Sequence, residues 1–314
     1  MRVLDSFHSD FTEARASADL ADSSRNLREV ARLLICQVLC VVPAVVATRF
    51  QYTWSLLIFI APLAATASDL HRRGLLRALA RPIGISLLLL VPMGVVLTVA
   101  LADEFFTYPN ASAVLGITFP AIDLTGVDHA FQVPIEELLF YVLGFAALLM
   151  LYAWADAVLV PALRPLRAPR PSTSLPEMLT SLAFGIALAG AGWVVQRALI
   201  PGATGPGYWT YLMLVPMPVV IALAPVIAPR INWPALALVC LALWGHSVLW
   251  EVTLAIPQGW WGYQRDAMLG VHLSAWHGLP IEAVVVWLLT PVATIFSFEA
   301  LRAQLAPLPR RRTP

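Results

Sequence analysis

Lysine is missing from this 314-residue chain, so its 20 basic residues are all Arg, and charged residues of either sign make up only 12% of it. With 59% hydrophobic residues against so little charge, the composition lies outside the soluble globular range and indicates an integral membrane protein. The net charge of +1 lacks the basic excess that a phosphate-binding surface needs, which excludes nucleic acid as a partner. Cysteine is scarce too. Cys36, Cys40 and Cys240 fall inside apolar runs with no CxxC spacing, so they read as small core residues and not as a metal or disulfide framework. No GxGxxG phrase follows a strand-like run, and no nucleotide cofactor is implied.

What is present is a set of apolar runs long enough to cross about 30 Å of hydrocarbon. They lie at 29–48, 53–69, 82–102, 134–160, 177–199, 208–228, 234–255 and 279–300. The expected fold is therefore an all-α integral membrane protein of eight transmembrane helices. Arginine placement is an independent check, because short cytoplasmic loops hold the basic excess. The leader (Arg2, Arg15, Arg25, Arg28, Arg32), the second connection (Arg72, Arg73, Arg77, Arg81), the mid-chain linker (Arg164, Arg167, Arg170), the sixth connection (Arg230) and the tail (Arg302, Arg310, Arg311, Arg312) all fall on one side. The other side receives only Arg49, Arg197 and Arg265. A multi-pass protein of the cell membrane with both termini cytoplasmic is expected.

The Pro- and Arg-rich segment 161–176 divides the chain near its middle, with four helices on each side. The resulting organisation is a polar leader (1–26), disordered or interfacial and unlike a cleavable signal peptide; a first repeat (27–160); the linker (161–176); a second repeat (177–302); and a basic tail (303–314). Because each half has an even number of crossings, the halves enter the membrane in the same sense, as two parallel pseudo-repeats of four helices about an axis along the membrane normal.

The halves also match in words. Pro134-Ile135-Glu136-Glu137 opens the fourth helix and Pro280-Ile281-Glu282 opens the eighth, both from the non-cytoplasmic side; Leu115-Gly116-Ile117 precedes the first and Leu269-Gly270-Val271 the second. Pro followed by Glu is also an ordinary way to begin a helix. Ionisable residues at membrane depth are nevertheless expensive and mark function by default, and the recurrence of the phrase needs a reason. Tyr141 lies one turn beyond Glu137, and His246 and Trp250 share a helix face. These residues, with Trp287, are pocket candidates. Glu251 is either a further site acid or an interfacial cap, while Trp260, Trp261 and Trp276 read first as interfacial belt. Glu299 is expected to pair with Arg302 at i, i+3.

An acid among aromatic faces in a dry cavity suits protonation of an alkene. Apolar surroundings keep the proton on Glu, aromatic faces stabilise the cation, and exclusion of water prevents its capture. Helix N-terminal dipoles oppose this by favouring the anion.

The PIEE and PIEA phrases, their Leu-Gly-Ile and Leu-Gly-Val forerunners, the stretch WWGYQRDAMLGV (260–271) and the ending LLTPVATIFSFEALR (288–302) resemble the membrane-embedded lycopene cyclases. That family occurs as paired small subunits in some bacteria, as a fused chain in archaea, and as the cyclase part of a fused fungal enzyme. The resemblance implies a redox-neutral isomerase of carotenoid biosynthesis, an intramolecular lyase that forms β-ionone rings from the acyclic ψ end groups of lycopene. It also implies that Glu136, Glu137 and Glu282 are catalytic, with Glu137 or Glu136 as proton donor and Glu282 as its partner or the final base. The flavin-binding cyclase architecture is absent.

Partners are then an acyclic carotenoid such as lycopene, the lipid bilayer, and carotenoid-pathway enzymes or a second copy of the chain. Ala283 and Trp287 stand where the first copy has Glu137 and Tyr141, which leaves open a one-end cyclase, another carotenoid, or a required partner. A carotenoid hydratase, a C50 carotenoid cyclase and a small transporter are the competing readings. His272, His277, Asp128 and His129 lack metal-ligand spacing, Asp123 and Asp128 lack the pairing of a diphosphate site, and no metal is expected.

Overall fold

A computed structural model describes residues 2–120, 132–161, 174–203 and 205–305; the side chains of 2–23, 97–99, 103, 120 and 132 are outside the description. Among the described residues, eight helices are long and apolar enough to cross a membrane: Ser24–Val46, Gln51–Arg72, Leu76–Val96, Ile135–Leu159, Leu175–Leu199, Gly207–Ile227, Trp233–Ala255 and Ile281–Leu305. These match the eight apolar runs to within a few residues at their ends. Asp123, Asp128, His129 and most of the linker lie outside the described residues.

Local chemistry explains the element ends. Helix α1 (Arg2–Val46) runs back through the polar leader, whose composition reads as disordered or interfacial. No Pro or Gly interrupts the chain before Pro43, and the helix ends three residues after it. The second span is α2 (Gln51–Ser55) and α3 (Leu57–Arg72), broken at Leu56. The third is α4 (Leu76–Phe105). The fourth is α5 (Ile135–Trp154), started by Pro134 and closed by a π-turn over Ala155–Leu159.

In the second half, α6 (Leu175–Leu199) begins with a Ser174/Glu177 capping box. The sixth span is α7 (Gly207–Leu214) and α8 (Pro216–Ile227), broken before Pro216, which has no N–H to continue the ladder. Asn232 caps α9 (Trp233–Trp250), which runs into a second π-turn over Glu251–Ala255, and α10 (Ile281–Leu305) follows.

Helices α5 and α10 are central. Helix α5 packs on α3 and α4, α10 packs on α8 and α9, and each also crosses to the other half, α10 to α4 and α5 to α9. Helices α1 and α6 lie at the periphery, with α1 against α3 and α6 against α8. Their outward faces carry Leu34, Val38, Val42, Leu179, Leu182 and Ile186, all exposed, as lipid-facing positions should be.

At one end of the bundle the buried acids are paired. Asp69 takes Arg73, Arg72 and the Trp154 indole, and Arg302 joins Asp156 at 2.9 Å to Glu299 at 3.1 Å. The i, i+3 pairing of Glu299 with Arg302 is as the spacing predicts. At the opposite end, three short antiparallel ribbons among the described residues add to the helical fold. They pair β1 (Phe106–Thr107) with β4 (Gly262–Tyr263), β2 (Thr118–Pro120) with β3 (Gln132–Pro134), and β5 (His272–Leu273) with β6 (Leu279–Pro280).

Candidate active site

The ribbon end of the bundle holds all four acids of interest, and none faces solvent: Glu136 and Glu282 are 0% exposed, Glu251 3% and Glu137 7%. They divide into two kinds of environment.

Glu136 and Glu282 bind the backbone of loops. Glu136 Oε1 accepts from the Leu115 N–H at 2.8 Å and from the Thr53 hydroxyl, and Glu282 Oε1 accepts from the Leu269 N–H. Each loop then turns through a glycine in the left-handed region, Gly116 at φ 78° and Gly270 at φ 92°, a conformation open to Gly without steric cost. Each returns to its helix by a matching bond, Ile135 N–H to Ile117 O at 2.9 Å and Ile281 N–H to Val271 O at 3.0 Å. The phrase Leu-Gly-Ile or Leu-Gly-Val is thus what the first Glu of each motif grips. Neither Glu136 nor Glu282 lines the aromatic cavity among the helices.

Glu137 and Glu251 do line it. This cavity of about 130 Å³ opens among α3, α4, α5, α7, α9 and α10, and more than half of its lining residues are aromatic. Glu137 Oε2 accepts from Tyr52 at 3.0 Å, and Tyr108 and Tyr141 stand beside the same carboxyl. Glu251 opens the π-turn that closes α9, an irregularity often found at functional sites. Its oxygens both accept from the Tyr263 hydroxyl at 3.1 Å, and Oε1 also accepts from the Trp287 indole at 3.0 Å. Facing walls come from Phe59, Phe140, Phe105, Tyr208 and Tyr211, with Phe140 edge-on to Trp287 and Phe105 stacked on Tyr208.

The structure therefore brings Glu137, Tyr141, Glu251 and Trp287 together in one chamber. Trp250 is buried behind it, stacked on Phe140 and edge-on to Trp261, and His246 is half-buried away from the lining. The belt reading of Trp260 and Trp261 does not hold. After the π-turn the chain folds back over the bundle end, which buries Trp260 completely and sets Trp261 in the cavity wall.

Tyr52, Tyr208, Tyr211 and Tyr263 were not singled out as pocket residues by sequence. The available signal was the parallel between Gln51-Tyr52 and Gly207-Tyr208, each tyrosine being the second residue of a short helix that begins a broken span. Among the described residues no group of three His, Cys, Asp or Glu side chains is placed to hold a metal. No family model, curated protein or solved structure matches the chain.

Proposed function

We propose that this chain is a carotenoid cyclase of the lycopene type, an isomerase that closes a β-ionone ring on an acyclic ψ end group. The observation that carries the reading is the aromatic chamber among membrane-crossing helices whose lining, among the described residues, includes two carboxyls, Glu137 and Glu251. Its volume is below the about 300–1,000 Å³ of pockets that enclose a whole drug-sized ligand, which suits the end of a long polyene. Its walls suit a cation, since aromatic faces attract positive charge and a dry site keeps water from capturing it.

The hydrogen bonds divide the two acids. Both acids meet a tyrosine hydroxyl, but Glu251 also meets the Trp287 indole, a donor only, and such a donor favours the carboxylate form that a base needs. Glu137 is bonded by a phenol, which can donate or accept and therefore tolerates a protonated partner. Glu137 then adds its proton to the terminal double bond. The neighbouring double bond closes the ring onto the tertiary cation, and Glu251 removes a ring proton, leaving that C–H electron pair as the ring double bond. Glu136 and Glu282, which the resemblance implies as catalytic, hold the loops that roof the site in this reading.

The two-fold organisation belongs to the same proposal: halves 27–160 and 177–302 are parallel repeats. Three matched features support it, namely the paired Glu-to-Leu clamps, the broken second and sixth spans, and the reciprocal crossing of α4 to α10 and α9 to α5. Arginine placement supports cytoplasmic termini in a cell membrane, with the site at the opposite face.

Expression in cells that accumulate lycopene, followed by chromatography of the pigments, tests the function. Ring-bearing products are expected, whereas unchanged lycopene overturns the reading. A hydroxylated acyclic product marks a hydratase, the reading favoured by Thr290, whose buried hydroxyl lies in the cavity wall with no hydrogen-bond partner among the described residues.

A further inference from the structure

Tyr263 belongs to two cavities. It lines the aromatic chamber, where its hydroxyl reaches both oxygens of Glu251 at 3.1 Å, and it also lines a second cavity of about 530 Å³ at the ribbon end. The second cavity differs in kind. Its rim holds Arg265, Asp266, His272 and His277, all exposed, around the glycine turns at Gly270 and Gly278. Among the described residues Tyr263 is the one that lines both the aromatic chamber and this outer cavity, and it is half-buried.

The phenol is fixed there by backbone. Tyr263 pairs with Phe106 in the β1–β4 ribbon, and the next residue, Gln264, donates its N–H to Phe105 O at 2.9 Å. Glu251's other polar partner, Trp287, has no proton-accepting atom and cannot relay one. A tyrosine hydroxyl can accept and donate at once. We propose that Tyr263 is a relay residue through which Glu251 exchanges its proton with water in the outer cavity, restoring the base after each ring closure.

The inference rests on the cyclase reading, and its balance is simple. Ring closure leaves Glu251 protonated. Its O–H then donates to the phenol oxygen while the phenol's own hydrogen passes to water or an imidazole at the outer rim. Tyr263 ends unchanged, Glu251 is again a carboxylate, and no oxidant or reductant takes part. Glu137 regains one proton from solvent per turnover, so the isomerisation is neutral overall. The proton added to the polyene and the proton removed from it are therefore different protons.

The test compares turnover regimes in proteoliposomes loaded with lycopene. With enzyme in excess, Tyr263→Phe is expected to slow the first ring closure only by what the lost hydrogen bond to Glu251 costs, a smaller loss than under multiple turnover, because Glu251 starts as a base. With substrate in excess, its rate is expected to fall about tenfold or more, the lower range of a proton-transfer contribution. Equal losses in both regimes would reduce Tyr263 to a packing or orienting role, and no loss in either would remove it from the reaction.

A second variant leaves the tyrosine in place. Asp266→Cys at the exposed rim, labelled with a bulky maleimide, is expected to slow multiple turnovers and spare the first, with labelled wild-type protein as the control for Cys36, Cys40 and Cys240. Unchanged multiple turnover after labelling overturns the outer route. Failure of the cyclase reading is distinct, since wild-type protein would then form no ring in either regime.

Discussion

The two acid-bearing helix entrances use the same first residue and differ in the second. Glu136 and Glu282 are both buried and both grip a leucine N–H across a glycine turn. One position on, Glu137 enters the aromatic chamber, while Ala283 packs in an apolar cluster with Val248 and Leu279. The first glutamate of the phrase thus holds a loop backbone at both entrances, and the second lines the aromatic chamber at one. The second half supplies its acid from another helix, as Glu251 at the π-turn of α9.

The most damaging test of that contrast is Glu137→Gln, expected to cut ring formation by about 10²–10⁴-fold, the range for a lost general acid, with membrane insertion intact by fractionation. A variant with near-normal pigment conversion would remove Glu137 from the chemistry. Placing an acid at the second entrance tests the other side of the comparison. Ala283→Glu buries a carboxyl among apolar neighbours at a cost of about 1–3 kcal/mol or more, so a lower denaturation midpoint in mild detergent and no new product are expected.

Removing either clamp, by Glu136→Ala or Glu282→Ala, leaves a loop N–H without its acceptor, and each should cost about 1–3 kcal/mol in the same denaturation assay. The smallest effect is expected for Glu136→Gln. Both of its donors meet one oxygen, which an amide retains, so stability should change by less than about 1 kcal/mol and pigment conversion should persist. Opposite outcomes for Gln at two adjacent positions would fix the division of labour; matching losses would break it.

Hydropathy and arginine placement made the eight spans legible, because each span is a local property of some twenty residues. The Glu299–Arg302 pair was legible for the same reason. Which of two adjacent glutamates faces the chamber was not, since neighbours on a helix point about 100° apart and the inward direction depends on where α3 and α4 pack. The tyrosines were hidden for a related reason: Tyr52, Tyr208 and Tyr263 come from three distant parts of the chain. Glu251 could be read as a site acid or a cap, and only the fold-back of Trp260 and Trp261 over the bundle end encloses it. Trp250 and His246 share a helix face in sequence, yet neither lines the chamber.

The ribbon joining Phe106 to Tyr263 has its own implication. It fastens one half to the other through main-chain groups, and such bonds are indifferent to which side chains flank them. The halves can therefore diverge residue by residue, one gaining an acid and the other losing it, without coming out of alignment. On the two-repeat reading proposed above, a scaffold with such a seam is free to become lopsided, and Glu137 from one half lining a chamber with Glu251 from the other is the lopsidedness it permits.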